Sequence, residues 1–271
     1  MDKLNFLTAG IPSSAKDYKN AFSELEKLGL DGLEVEFVHG VRYSDATRQA
    51  ILDRKNKIIT HHGPYYINLN AKEPDKIEAS IKRVLDTARA AQDLGAYSIT
   101  YHAAFYLGGS EDELMKTMIE RHQTIIETLQ AESNNIWIRP ETTGKRSQWG
   151  TLDEIIELSK NFSQVLPCVD FAHIHAREDG KFNTYDEFCG ILEKIGNELG
   201  EIALNNFHGH VAGIEYSAKG EKKHLIFEEA DFNYKDLMKA MKKFDVKGAL
   251  ICESPNIEID TKILQDYYAS L

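Results

Sequence analysis

Cysteine is scarce in this chain: three in 271 residues, Cys168, Cys189 and Cys252. None sits at the spacing of a thiolate metal knuckle or a redox pair. A Cys-rich zinc site and a disulfide scaffold are therefore excluded, and a reducing compartment is expected. Long apolar runs are missing too. No stretch reaches the roughly 18 residues of a membrane span, and the polar start MDKLNFLTAG does not read as a leader. A cytoplasmic protein without a membrane partner is the expectation. Positive charge is also short, with 32 Lys and Arg against 43 Asp and Glu, a net charge of −11. That balance disfavours a polyanionic partner, although two or three divalent ions held in one cleft would return about +4 to +6 there. Finally, no G-x-G-x-x-G loop follows the first apolar run, where TAGIPSSA stands. A dinucleotide fingerprint is thereby excluded.

What is present is a regular alternation. Short β-rich runs cover residues 4–9, 32–38, 57–62, 97–103, 135–141, 165–173, 203–212 and 247–253, and each is followed by a helical pattern. SSAKDYKNAFSELEKLG offers Ser13 and Ser14 as N-caps and closes on Gly29. EPDKIEASIKRVLDTARAAQDLG has Pro74 in its first turn and Gly95 after its end. Eight strands alternating with about eight helices, without a linker, predict an α/β fold in which residues 1–271 form a single (β/α)8 TIM barrel.

Such a barrel carries its chemistry at the C-terminal ends of its strands. Those ends offer His61-His62, Tyr101-His102, Arg139-Pro140-Glu141, Asp170 with His173, His208 with His210, and Glu253, while His175 and His224 lie just beyond. One such residue alone is more often a satisfied structural group. Six consecutive strands offering His, Asp or Glu at one end point instead to a polynuclear metal site. Imidazole and carboxylate without thiolate suit zinc, manganese or iron. In a strand, His61 and His62 face opposite ways, so one looks into the site and the other packs between strand and helix. Residues 208 and 210 share a face, which leaves either as the seventh strand's ligand.

The motifs HHGPYYINL, PETTGKRSQWG, CVDFAHIHA, HVAGIEY and CESP, in this order, resemble those of the endonuclease IV family of apurinic/apyrimidinic endonucleases, of the xylose-isomerase-like barrel superfamily. The resemblance implies a zinc-dependent phosphodiesterase that nicks double-stranded DNA 5′ to an abasic site in base-excision repair. Metal-activated hydroxide would attack, and a monomer is expected. It implies that His62 and His102 share one ion with bridging Glu141, the catalytic carboxylate. Asp170, His210 and Glu253 would complete a second. His173 and His224 would serve a third, so that two or three Zn2+ ions, or Mn2+, are expected. Tyr65 and Tyr66 match the residues that probe the duplex. Arg42, Lys145, Arg146 and Arg177, in loops after strands, are candidate phosphate contacts. One departure stands out. Where the family has an Asp-Arg-His triplet this chain reads KGEKKHLIF, so that Lys222 occupies the aspartate position, and Glu221 reaches it only with a local backbone shift.

Two alternatives belong to other classes. A sugar isomerase or epimerase of the same superfamily needs a single metal, for which Glu141, Asp170, His210 and Glu253 suffice. A non-catalytic metal- or DNA-binding barrel is the other. The additional imidazoles of His62, His102 and His173 favour the nuclease.

Overall fold

Strands buried on both faces read as near-continuous apolar runs, and LNFLTA (β1, Leu4–Ala9) and GALIC (β8, Gly248–Cys252) do so. Between them in the chain come β2 (Gly32–Glu36), β3 (Ile58–His62), β4 (Ser98–Tyr101), β5 (Trp137–Pro140), β6 (Val169–Asp170) and β7 (Phe207–Val211). The computed structural model describes all 271 residues. Its strands run parallel in the order β5-β4-β3-β2-β1-β8-β7-β6. Bridges Ile138–Val165 and Glu141–Cys168 join β5 to the segment leading into β6 and close the ring. The TIM barrel read from the sequence is the fold.

The surrounding helices begin and end where local chemistry dictates. Helix α1 (Tyr18–Leu28) stops at Gly29, whose φ of 69° is a left-handed cap. Its N-cap differs from the expectation: Asp17, not Ser13 or Ser14, accepts the Asn20 amide at 2.8 Å. Ser13 instead donates its hydroxyl to Glu258 at 2.7 Å. Helices α2 (Asp45–Leu52) and α3 (Pro74–Asp93) follow, the latter with proline in its first turn. Helix α4 (Glu111–Ala131) is closed by a Ser110–Glu113 capping box. Helices α5 (Leu152–Ser159), α6 (Phe171–Arg177), α7 (Tyr185–Leu199), α8 (Glu201–Asn205), α9 (Tyr234–Lys243) and α10 (Glu258–Ser270) complete the layer. None is long and apolar enough to cross a membrane.

Two strand expectations are corrected. Residues 165–173 do not form one strand: the chain turns into α6 after Asp170, whose carboxylate caps the helix by accepting the His173 amide at 2.6 Å. His173 therefore lies in the first turn of a helix. Residues 203–205 belong to α8, and the seventh strand starts at Phe207.

The interior of the ring is divided. Leu7, Ala249 and Ile251 from β1 and β8 form a small dry cluster. Facing them, Glu34, Thr60, Thr100, Arg139 and His208 are all buried and polar. Above this layer lie the strand ends.

Candidate metal centre

The alternation along each strand brings every second side chain inward, so β3, β4 and the segment after β5 deliver His62, His102 and Glu141 to one level. Glu141 is 1% exposed. Its Oε2 lies 3.2 Å from His62 Nε2 and its Oε1 3.2 Å from His102 Nε2. The His62 ring is fixed from behind, its Nδ1–H donating to the Gly63 carbonyl at 2.7 Å, which leaves Nε2 toward the site. His61 points the other way, against the edge of Phe37 with ring centroids 5.0 Å apart, and neither of its nitrogens has a partner. Burial pushes its pKa down to about 3, so it stays neutral.

On the other side of Glu141, His210 Nδ1 lies 3.3 Å from Glu253 Oε1 and 3.6 Å from Glu141 Oε1. His173 Nδ1 is 3.1 Å from Glu141 Oε1 and 3.3 Å from Asp170 Oδ2. Its Nε2 faces His224 Nε2 at 3.4 Å and Glu221 Oε2 at 3.5 Å. Lys222 turns away, its ammonium paired with Glu215. The eight residues His62, His102, Glu141, Asp170, His173, His210, His224 and Glu253 thus converge at the C-terminal end of the barrel.

His208 does not join them. Its Nδ1 bonds Ser98 Oγ at 2.7 Å and its Nε2 meets Glu34 Oε2 at 3.2 Å, one layer below. The same carboxylate meets His210 Nε2 at 3.0 Å through its other oxygen and accepts the Thr60 hydroxyl at 2.7 Å. Glu34 therefore sets the orientation in which His210 presents Nδ1 to the mouth. Glu34 and Glu36 are not among the sequence candidates: Glu34 lies two residues inside β2, and Glu36 ends it within the longer run 32–38. The signal was the LEVE run itself, since acidic residues two apart in a parallel strand share a face and cannot both be solvated there. Cys168 was missed as well: its sulfur lies within 4.8 Å of ligand nitrogens of His208 and His210. Burial pushes that thiol up to about 12, so it is not a thiolate.

Of the basic loop residues, Arg42, Lys145 and Arg146 are exposed. Arg177 is not a phosphate contact: it is 8% exposed and its guanidinium is used on the carbonyls of Lys145 and Gln148 and the Tyr106 hydroxyl. Nor is His175 a ligand, being held between the Lys181 carbonyl and Asp231. Tyr65 and Tyr66 stand at the rim, 61% and 60% exposed.

The electrostatics fit cations. Burial opposes charge on Glu141, yet His102 and His210 hold its carboxyl well below the usual range. Burial likewise opposes charge on His62, but Glu141 and Glu36 lift it to about 10. His173 and His210 are also raised against the cost of burial, by Asp170 in the first case and by the buried carboxylates Glu253, Glu34 and Glu141 in the second. Each of these imidazoles holds a proton where a divalent ion would replace it. Three inward atoms, Glu141 Oε1, Asp170 Oδ2 and His210 Nδ1, meet neighbouring ligands at ion-pair distance but without the geometry of a hydrogen bond. Buried groups left so are costly unless something binds them. Five donor groups lie close enough to share an ion each. Three contain only the strand-end candidates, His62–His102–Glu141, Glu141–Asp170–His210–Glu253 and Asp170–His173–His224–Glu253, and the other two are Cys168–His208–His210 and Glu34–Glu36–Glu253.

The fold and site together define an α/β barrel with a cluster of imidazoles and carboxylates at its strand ends that could hold metal ions. The chain belongs to the xylose isomerase-like TIM barrel family, which it matches over residues 22–269. An uncharacterized protein of Methanocaldococcus jannaschii is 42% identical over 269 residues, 99% of this chain and 98% of that one. A protein of Staphylococcus saprophyticus named probable endonuclease 4 is 28% identical over 156 residues, 55% of this chain and 50% of that one. Among crystal structures, a D-tagatose 3-epimerase-like protein superimposes with a TM-score of 0.74 at 18% identity, covering 97% of each chain. Endonuclease IV from Thermus thermophilus does so with 0.72 at 14% identity, covering 98% of this chain and 100% of that one. These two likenesses show the fold alone and do not divide nuclease from epimerase.

Proposed function

We propose that this protein is a divalent-metal-dependent apurinic/apyrimidinic endonuclease that hydrolyses the DNA phosphodiester 5′ to an abasic site. The observation that carries the reading is the placement of His62 and His102 on opposite oxygens of Glu141, each at 3.2 Å. A carboxylate with two imidazoles on one side and Asp170, His210 and Glu253 on the other is built to be shared between ions. A one-metal sugar isomerase would be complete with the second group alone.

His62, His102 and Glu141 would hold one ion, and Glu141, Asp170, His210 and Glu253 another. The donor chemistry suits zinc, with manganese the alternative. Bound ions supply Lewis-acid activation of water and charge neutralisation of an anionic phosphodiester. The chain's own residues do the rest. Glu141 fixes the separation of the two groups and, held ionised, offsets their charge. Gly63 and Glu34 lock the rings of His62 and His210. Tyr65 and Tyr66, exposed beside the mouth, are suited to stacking on bases or filling the gap left by the lost base. Lys145 and Arg146 stand on the loop after β5, where the duplex backbone would pass.

The sugar-epimerase reading has its own support in the self-sufficient four-residue group of Glu141, Asp170, His210 and Glu253. Incision of a duplex bearing one synthetic abasic site separates the two. Cleavage by the wild type that is lost in His62→Ala and Glu141→Gln supports the nuclease; full metal-dependent cleavage by either variant overturns it.

A further inference from the structure

We infer that Glu221 is the carboxylate ligand of a third cation with His173 and His224, delivered by a β-bulge that also discards Lys222. The inference rests on the metal-dependent reading above and deepens it. After β7 the chain forms a hairpin of Gly213–Ser217 with Gly220–Leu225. In a regular strand His224 would share its face with Lys222, two residues before it, and Glu221 would face away. The ladder is not regular. Ile214 opposes His224 and Glu215 opposes Lys223, but the next residue, Tyr216, opposes Glu221. Lys222 is the extra residue of a bulge, and the alternation resets across it.

The consequences are visible in the side chains. Lys222 leaves the site and pairs with Glu215, which also meets Lys223 at 3.5 Å. Glu221 turns in and places Oε2 3.5 Å from His173 Nε2. His173 divides its two nitrogens between neighbours: Nδ1 lies 3.0 Å from the Thr142 carbonyl, to which it donates, while Nε2 is directed at Glu221 and His224. Two imidazole Nε2 atoms face each other at 3.4 Å beside a carboxylate oxygen. That convergence is what a cation organises.

The position is also clipped and given room. The Glu221 amide donates to the Gly144 carbonyl at 3.0 Å, and Lys145 bridges to Gly220. Gly220, at φ 92°, approaches so closely that a Cβ would lie 2.1 Å from the Gly144 oxygen. A Cβ on Gly144 would lie 2.6 Å from Glu221 Cβ and 2.8 Å from Oε2. Glycine at 144 thus leaves the volume that Glu221 fills.

Metal content per chain tests this, measured by plasma mass spectrometry after zinc loading and removal of free metal. The wild type should hold three ions, and Glu221→Gln and Gly144→Ala two each. Lys222→Ala, which removes an outward side chain, should hold three. Glu221→Gln retaining three ions overturns the assignment, as does a wild type holding two. The latter result leaves the two-ion nuclease reading intact, whereas a wild type holding one ion overturns that reading as well.

Discussion

The two flanks of the candidate metal centre are built differently. On one flank His62, His102 and Glu141 come from or directly follow adjacent barrel strands, and the ring that orders them is closed by backbone hydrogen bonds. On the other flank His173 sits on α6, while Glu221 and His224 sit on a hairpin appended after β7. Strand-borne donors are fixed by the fold itself, since a register slip would turn every inward side chain outward. Appended donors are fixed by local devices: the Asp170 cap, the bulge at Lys222 and the glycine contact between residues 144 and 220. The first flank resists change because the whole barrel specifies it. The second can exchange its chemistry one residue at a time.

The largest expected effect comes from breaking the strand-borne flank. Glu141→Gln should lower incision on the order of 10³-fold, the size seen when a preorganised charge-stabilising group is removed. His224→Ala on the appended flank should lower it less and should release one ion while the others stay, read from metal content and rate together. Equal losses in the two variants would erase the distinction between the flanks.

A smaller effect sharpens how the barrel supports its ligands. Glu34→Gln breaks the carboxylate that spans His208 and His210, and metal affinity should fall about 10- to 100-fold, the usual worth of a partner behind a ligand. Competition with a chromogenic chelator measures it. Unchanged affinity would mean that packing alone orients His210.

The adjacent histidines give a third contrast. His62→Ala should lose metal and activity, whereas His61→Ala should keep its metal and lose about 2 kcal/mol of stability through a cavity behind β3, measured by denaturant unfolding. The smallest effect is in pH. His61 and His122 are both buried neutral, lowered by burial to about 3 and about 4. The unfolded chain takes up these protons below about 6.5 while the folded chain refuses them. What these two histidines contribute is therefore full above that pH and is lost as pH drops toward 4. The acid limb should be shallower in His61→Ala than in the wild type.

The same contrast explains what the sequence discloses. The barrel and the strand-borne donors were legible because period-two alternation and the strand-end rule act on every βα unit alike. The appended flank was less so. By alternation Asp170 and His173 fall at the end of one strand, yet they are a helix cap and its first turn, the Asp170 carboxylate accepting the amide three residues on. Glu221 stands in the sequence only as a substitute that needs a local backbone shift, and no residue type in KGEKKHLIF announces the bulge that supplies it. Glu34 escaped because it lies one layer below the strand ends, where only its burial reveals its partners.

One measurement bears most directly on the claim that this mouth is a multi-ion phosphodiesterase site. A single preparation, zinc-loaded and then stripped with chelator, is assayed on a duplex with one abasic site and, in parallel, on a panel of ketoses. The account predicts incision 5′ to the lesion that leaves an extendable 3′-hydroxyl, is abolished by chelation and is restored by zinc, with no ketose turned over. Ketose epimerisation without incision would contradict it.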